Sequence, residues 1–201
     1  MNFLSLLKKL PIDLGQSERK HNAAAKRIAF SFVPETEEKV ALDIGCRDGF
    51  WSEQLKKKGY NVLAIDIKPS YRESIICDVE NGIPFSDESF NLVWCTEVIE
   101  HLHNPKYLFQ EIERVIRPGG LAIITTPNSS CWYYSIFRLF KLNPQKLQNP
   151  DHKHFFDEKS IRSLASGYTV YGYFPYVFFF IRISKFIELL SPTFILIKVF
   201  T

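Results

Sequence analysis

The chain has 201 residues, 46% of them hydrophobic and 23% charged, which is the composition of one ordinary globular domain. Its net charge of +3 is too small to favour nucleic-acid binding, which requires a dense basic surface. The four cysteines, Cys46, Cys77, Cys95 and Cys131, are widely spaced and form no C-x-x-C pair. A disulfide framework or a metal site is therefore disfavoured. We expect a single cytoplasmic domain over 1–201 with no bound metal.

Residues 1–37 are predicted as an N-terminal helical segment. The opening MNFLSLLKKLP lacks the long apolar core and the cleavage site of a signal peptide, and it fits a short amphipathic helix. Alanines and large apolar residues recur at helical spacing over 18–32, and Pro34 ends that pattern. No stretch reaches the roughly 20 apolar residues of a membrane span.

Strands and helices alternate over 38–128, the predicted core. Strands are predicted at 40–44, 60–66, 74–78, 90–96 and 121–127, and helices at 50–59 and 105–117, the second ended by Pro118-Gly119-Gly120. Most of these strands are apolar almost throughout, which is typical of parallel strands covered by helices on both faces. The pattern predicts an open, doubly wound, Rossmann-like α/β sheet.

The remaining segment, 129–201, is predicted to contain the last helices and strands of the domain. Helices are predicted at 131–140, at 158–165 after an Asp157 cap, and at 179–190; strands are predicted at 168–174 and 193–200.

Acidic residues follow three of the predicted strands: Asp43, Asp66 and Asp78. Ligands of open α/β sheets bind beyond the carboxyl ends of the strands. Asp66 lies 21 positions beyond Gly45, the spacing at which an acid accepts both hydroxyls of a ribose. Asp78 could accept from an adenine amino group. For both, a helix cap or a turn is the structural alternative.

The turn after the first strand reads Gly45-Cys46-Arg47-Asp48-Gly49-Phe50. It lacks the middle and last glycines of the G-x-G-x-x-G dinucleotide fingerprint, and the chain contains no G-x-x-x-x-G-K phosphate loop. The pattern therefore favours an adenosine-containing ligand without pyrophosphate and disfavours a nicotinamide-dependent oxidoreductase.

Five segments, in order, resemble the class I S-adenosylmethionine-dependent methyltransferases, and in particular the group that includes the ubiquinone and menaquinone biosynthesis enzymes. They are LDIGCRDGF, AIDI, CDVENGIPFSDESFNLVWCTEVIEHLHNP, EIERVIRPGGLAIITTPN and HKHFFDEKSIRSLASGY. The resemblance implies seven strands, the last antiparallel and inserted between the fifth and sixth.

The resemblance also implies S-adenosyl-L-methionine as cofactor, and it assigns the binding residues. The methionine part lies against the glycine turn, the ribose on Asp66, and the adenine beside the residues that follow the second and third strands. The implied cofactor-binding residues are Asp43, Gly45, Cys46, Arg47, Gly49, Asp66, Ile67, Asp78, Val79 and Thr96, with Thr96 under the sulfonium.

Arg47 replaces a glycine of the family turn. Glycine serves where φ is positive or where backbone must approach closely, and a left-handed arginine costs about 1 kcal/mol. Its guanidinium could bind the carboxylate of the cofactor or point to solvent, and a non-catalytic relative on the same fold is the alternative to an enzyme.

Methyl transfer needs a general base only when the acceptor must lose a proton. His101, which follows the fourth strand, is the predicted catalytic residue; packing or capping is its structural alternative. The other candidates are His103, His152, His154 and Glu97.

Residues 129–201 are predicted to form the acceptor side of the domain, and the aromatic residues between 132 and 140 favour an apolar or ring-shaped small molecule, or a lipid, as acceptor. The predicted helix at 179–190 would place Ile183, Phe186, Ile187 and Leu190 on one face. We predict that this face borders the acceptor pocket; peripheral contact with a membrane surface and completion of the core are the alternatives.

Overall fold

The computed structural model describes residues 24–139, 148, 151–174 and 181–201. Within these ranges eight strands form one mixed sheet, and six α-helices accompany it, with helices packed on both faces. The strands are β1 (Lys39–Ile44), β2 (Tyr60–Asp66), β3 (Ser74–Ile76), β4 (Phe90–Thr96), β5 (Ile116–Pro127), β6 (Thr169–Phe174), β7 (Ile181–Ile183) and β8 (Thr193–Val199). The helices are α1 (Ala24–Phe30), α2 (Phe50–Lys57), α3 (Pro105–Val115), α4 (Trp132–Leu139), α5 (Glu158–Leu164) and α6 (Ile187–Leu190).

The strand order is β3-β2-β1-β4-β5-β8-β6-β7. Strands β1 to β5 are parallel, and β8 is antiparallel to both β5 and β6, between which it lies. The order reverses between β1 and β4, the point at which such sheets bind ligands beyond the strand ends. The Rossmann-like class and the inserted antiparallel strand are therefore confirmed.

The core has two layers because the strands are apolar on both faces. On one face, Leu108 and Ile112 of α3 and Ile161 of α5 pack against the sheet. On the other, Ala25 of α1 and Leu55 of α2 do so. Both layers bury their central side chains completely, which fixes the strand ends where the site lies.

Most predicted elements are confirmed, with shifted ends. Asp157 caps α5 as expected: its carboxylate accepts from the backbone N–H of Ser160 at 2.7 Å. The third strand ends at Ile76, two residues early, and the fifth begins at Ile116, so that the Pro-Gly-Gly segment belongs to a strand. The amphipathic helix predicted in MNFLSLLKKLP and the first part of the predicted helix at 18–32 lie outside the described residues.

The expectation of seven strands is wrong, because the described residues alone form a sheet of eight strands. The extra strand, β7, pairs antiparallel with β6 and occupies residues predicted as helix. It lies at the edge of the sheet, separated from β4 by β5, β8 and β6, so the expectation that residues 179–190 as a whole border the acceptor pocket is wrong. Helix α6 is short, and the proposed single apolar helical face does not form.

Helix α6 instead lies near the end of β5. The side-chain amide of Asn128 donates to the carbonyls of Glu188 and Ser191 at 2.8 and 2.7 Å, and Ile187 is fully buried. None of the helices in the described ranges has the length and hydrophobicity needed to cross a bilayer.

Candidate functional site

The glycine turn has the backbone conformation that its sequence predicts. Gly45 and Gly49 have φ of 77° and 78°, and Gly49 caps α2. A Cβ on Gly45 would collide with Val98, so this position needs glycine for space as well as for conformation. Arg47 also adopts a left-handed conformation, with φ of 50° and an exposed side chain. The turn therefore forms despite the arginine.

Asp66 lies directly beside this turn. Its Oδ2 accepts from the backbone N–H of Arg47 at 2.9 Å, and its Oδ1 accepts from that of Lys68 at 2.7 Å. The carbonyl of Arg47 in turn accepts from the N–H groups of Ser70 and Tyr71 at 2.9 and 3.0 Å. The carboxylate thus joins the turn to the loop after β2, and each of its oxygens retains a lone pair for a ribose hydroxyl.

A cavity of about 220 Å³ opens at the carboxyl ends of β1 and β4. Of the predicted residues, it is lined by Asp43, Gly45, Cys46, Arg47 and Thr96. The other lining residues are Lys26, Asp48, Trp51, Lys68 and Ser70. Lysines and Arg47 offer positive charge to a carboxylate, while Asp43 and Asp48 offer negative charge to an ammonium or sulfonium group.

Asp43 is the buried acid of this cavity. Only 2% of it is exposed, and its Oδ2 accepts from the hydroxyl of Ser52 at 2.5 Å. Burial raises the pKa of Asp43 from 3.8 to about 7, although the Ser52 hydrogen bond and the charge of Lys26 oppose that rise. A cation bound in the cavity would favour the ionised form of this carboxyl. Burial likewise raises the pKa of the Cys46 thiol to about 12, which makes it a poor nucleophile.

The residues predicted to hold adenine lie further along the same edge. Ile67 is 58% exposed, so its apolar side chain is accessible to a base. Asp78 caps the short 3-10 turn Val79–Asn81, where its Oδ1 accepts from the N–H of Glu80 at 3.0 Å. Val79 is buried beneath that turn. The structural alternative for Asp78, a turn aspartate, is thus realised, and an adenine contact stays a prediction.

A second polar group follows β4. The ligand atoms of Glu100, His101 and His152 all lie within 4.8 Å of one another, an arrangement that could hold a divalent cation. Glu100 is buried; its Oε2 accepts from Thr126 at 3.0 Å, and among the described residues no group donates to its Oε1. Burial, reinforced by the charge of Glu97, raises the pKa of Glu100 well above its ordinary value.

The two histidines of this group pack edge to face, with ring centroids 4.8 Å apart. Nδ1 of His101 lies 3.2 Å from the carbonyl of Asp151, and because a carbonyl only accepts, that nitrogen carries the hydrogen. Nε2 of His101 then has a lone pair. Nδ1 of His152 lies 3.2 Å from Oε1 of Gln148, and burial lowers the pKa of His152 to about 4, so that it stays neutral near pH 7.

The other candidate bases have different partners. His103 is exposed and lies 2.9 Å from Oε2 of Glu80, and the ring of His154 stacks on Phe156 with centroids 5.5 Å apart. Glu97 accepts from the hydroxyl of Thr125 at 3.0 Å. Among the histidines, the structure therefore brings only His101 and His152 of the described set into the group with Glu100.

Sequence reasoning missed Lys26, Trp51 and Ser52. Lys26 lies on α1, whose packing against the sheet brings it to the cavity, and no motif surrounds it. Trp51 and Ser52 follow Gly49 at the start of α2, so their place beside the turn was a signal that could have been used.

Comparison with known proteins agrees with this geometry. The profile of a family described as a methyltransferase domain matches residues 16–169. The ubiquinone biosynthesis O-methyltransferase of Rickettsia bellii is 35% identical over 104 residues, 43% of this chain and 41% of the relative. That of Actinobacillus pleuropneumoniae is 28% identical over 116 residues, 49% of this chain and 50% of the relative. The chain thus spans half or less of the length of these curated relatives.

Two solved structures share the fold at low identity. A SAM-dependent methyltransferase from Archaeoglobus fulgidus superposes with a TM-score of 0.62 at 17% identity, over 90% of this chain and 96% of that one. The 1,6-didemethyltoxoflavin-N1-methyltransferase of Burkholderia thailandensis, solved with bound 1,6-didemethyltoxoflavin and S-adenosylhomocysteine, gives a TM-score of 0.62 at 16% identity, over 92% of this chain and 81% of that one. The family profile matches most of the chain, and the glycine turn and the inserted antiparallel strand agree with that match. This chain therefore belongs to the methyltransferase domain family.

Proposed function

We propose that the protein transfers the methyl group of S-adenosyl-L-methionine to a small-molecule acceptor. The observation that carries the proposal is the cavity at the glycine turn, which combines buried Asp43 with the cations Lys26, Arg47 and Lys68. A methionine moiety has a carboxylate, an ammonium and a sulfonium group, and this set of charges complements all three. The S-adenosylhomocysteine bound in the Burkholderia structure supports this choice of cofactor, and the name of the Rickettsia relative supports methyl transfer.

The acceptor group that best fits the site is a hydroxyl. Methyl transfer to a hydroxyl forms a carbon–oxygen bond, breaks the carbon–sulfur bond, and leaves one proton to be removed. We assign the removal of that proton to Nε2 of His101, against whose ring His152 packs. Because the leaving thioether is neutral, the main task of the protein is to align the two reactants.

The acceptor is proposed to be ring-shaped and largely apolar. Helix α4 follows β5 and carries Trp132, Tyr133 and Tyr134, of which Trp132 is 39% exposed. The name of the curated relatives, which act in ubiquinone biosynthesis, supports a ring-bearing or lipid-like acceptor. A peripheral membrane contact would follow from a lipid acceptor.

The test is methyl transfer from labelled S-adenosylmethionine to phenols, catechols and the matching anilines. We expect turnover with hydroxyl acceptors, a loss of about 100-fold in kcat for His101→Gln or His152→Gln, and none for the control His154→Gln. Preferred turnover of anilines would overturn the hydroxyl assignment. Binding of the cofactor without turnover of any acceptor would favour the non-catalytic alternative, and binding of NADH instead would reject the proposal.

A further inference from the structure

The connection between β2 and β3 contains no helix. Parallel neighbours usually need a crossover of about a dozen residues or more, most often helical, whereas here only residues 67–73 separate the two strands. Ile76, which pairs with Asp66 and is 77% exposed, lies on the α2 face of the sheet, where a right-handed crossover helix would pack. This loop must therefore be fixed in place by contacts other than helix packing.

Tyr71 provides these contacts at the glycine turn. Its ring lies so close to Gly49 that a Cβ there would overlap it. Its backbone N–H donates to the carbonyl of Arg47 at 3.0 Å. The left-handed conformation of Arg47 belongs to the same arrangement, because it places that carbonyl where the loop can donate to it.

The hydroxyl of Tyr71 extends the attachment to α2. It donates to Oε1 of Glu53 at 2.6 Å and accepts from Nζ of Lys56 at 2.8 Å. Lys56 also forms ion pairs with Glu53 at 2.9 Å and with Glu73, at the end of the loop, at 2.6 Å. These four side chains, Tyr71, Glu53, Lys56 and Glu73, are called the Tyr71 clamp below.

The loop held by the clamp forms part of the cavity. Lys68 and Ser70 line it, and Asp66 stands where the loop begins. Exposed ion pairs add little to stability, so the clamp contributes more to where the loop lies than to how firmly the domain folds. Movement of the loop would displace Asp66 and Lys68 relative to the turn.

We propose that Tyr71 is a positioning residue for the cofactor: the clamp replaces the missing crossover helix and keeps Asp66, Lys68 and Ser70 aligned with the glycine turn. This inference rests on the proposed function and adds a residue to it. Tyr71 acts through the loop, so it should govern cofactor affinity and leave the transfer step unchanged once the cofactor is bound.

The experiment compares Tyr71→Ala, which removes ring and hydroxyl, with Tyr71→Phe, which keeps the ring on Gly49. Tyr107→Phe, a half-buried tyrosine of α3 outside the cavity, is the matched control. S-Adenosylhomocysteine is the titrated ligand, and KM and kcat for S-adenosylmethionine are measured alongside the melting temperature.

We expect Tyr71→Ala to raise Kd and KM about tenfold at unchanged kcat, Tyr71→Phe to show a smaller rise in both, and the control to match wild type. Wild-type affinity in folded Tyr71→Ala, or a fall in its kcat at saturating cofactor, would overturn this inference and leave the proposed function standing. If Tyr71→Ala does not fold, the same readings apply to Tyr71→Phe. Failure of wild type to bind would instead remove the proposed function, and this inference with it.

Discussion

Replacing Asp66 with alanine tests the ribose assignment and the turn geometry together. The carboxylate accepts two backbone N–H bonds, at 2.9 Å from Arg47 and 2.7 Å from Lys68. A hydrogen bond to a charged group contributes about 1.5–3 kcal/mol, and the half-exposed carboxylate belongs at the lower end, so losing both bonds costs about 3 kcal/mol. For a domain of this size the melting temperature should fall by about 6–12 °C.

Cofactor affinity should fall as well. A ribose would take two further bonds from the same carboxylate, and the alanine variant should therefore bind S-adenosylhomocysteine more than about tenfold more weakly. Calorimetric titration measures the affinity, and thermal unfolding followed by circular dichroism measures the stability. Glu35→Ala, an exposed acid before β1, is the control and should change neither.

The two readouts separate the roles of Asp66. A folded Asp66→Ala variant with wild-type affinity would refute the ribose assignment. An unchanged melting temperature would show that the carboxylate does not hold the turn to the loop. Asp66→Asn keeps one acceptor oxygen and should fall between wild type and alanine in both measurements.

Three further predictions concern the turn and its buried acid. The folded protein keeps the Asp43 proton up to about pH 7, whereas the unfolded chain releases it near pH 3.8, so the free energy of unfolding should fall as pH rises between these values. Urea denaturation across this pH range should show no such fall for Asp43→Asn; a pH dependence identical to that of wild type would contradict the raised pKa of Asp43. Gly45→Ala should lower the free energy of unfolding, measured in urea, by about 1–3 kcal/mol. Adding Val98→Ala to that variant should recover only part of the loss, because residue 45 keeps its positive φ; full recovery would show that the backbone conformation costs nothing. Arg47→Gly should leave stability within about 1 kcal/mol, since relief of the left-handed strain offsets the added freedom of the unfolded chain, and should bind S-adenosylhomocysteine several-fold more weakly; tighter binding would exclude an arginine–carboxylate pair.

The first five strands could be predicted because each carries a strong local pattern. Leu92, Val93, Trp94 and Cys95 form a fully buried run bounded by polar residues, which indicates a central parallel strand. The acids at the strand ends followed from the same reasoning. The glycine turn followed too, since φ at Gly45 is set locally.

The C-terminal prediction was wrong because two periods compete there. Ile183, Phe186, Ile187 and Leu190 have helical spacing, yet Ile181-Arg182-Ile183 also alternates as a strand does. Tertiary pairing with β6 decides the matter: Arg182 pairs with Tyr173, and its guanidinium lies over the rings of Phe32 and Tyr171 at 4.8 and 5.2 Å. No sequence window contains that information.

The site residues that could not be predicted from the sequence depend on tertiary packing in the same way. Lys26 reaches the cavity because α1 packs across the sheet, and Tyr71 meets Gly49 because the loop after β2 turns back over α2. Glu100, which is not among the predicted site residues, is joined by the candidate base His152 from about 50 residues further along the chain. Such contacts between distant segments become visible only in the folded structure.

The central claim is that the cavity at the glycine turn binds an adenosyl cofactor that has no pyrophosphate. Equilibrium titration of the wild-type protein with S-adenosylhomocysteine, and in parallel with NADH, tests it most directly. We predict saturable one-to-one binding of S-adenosylhomocysteine and none of NADH, because the turn lacks the glycines that a pyrophosphate needs. Saturable binding of NADH, or no binding of S-adenosylhomocysteine by the folded protein, would contradict the claim.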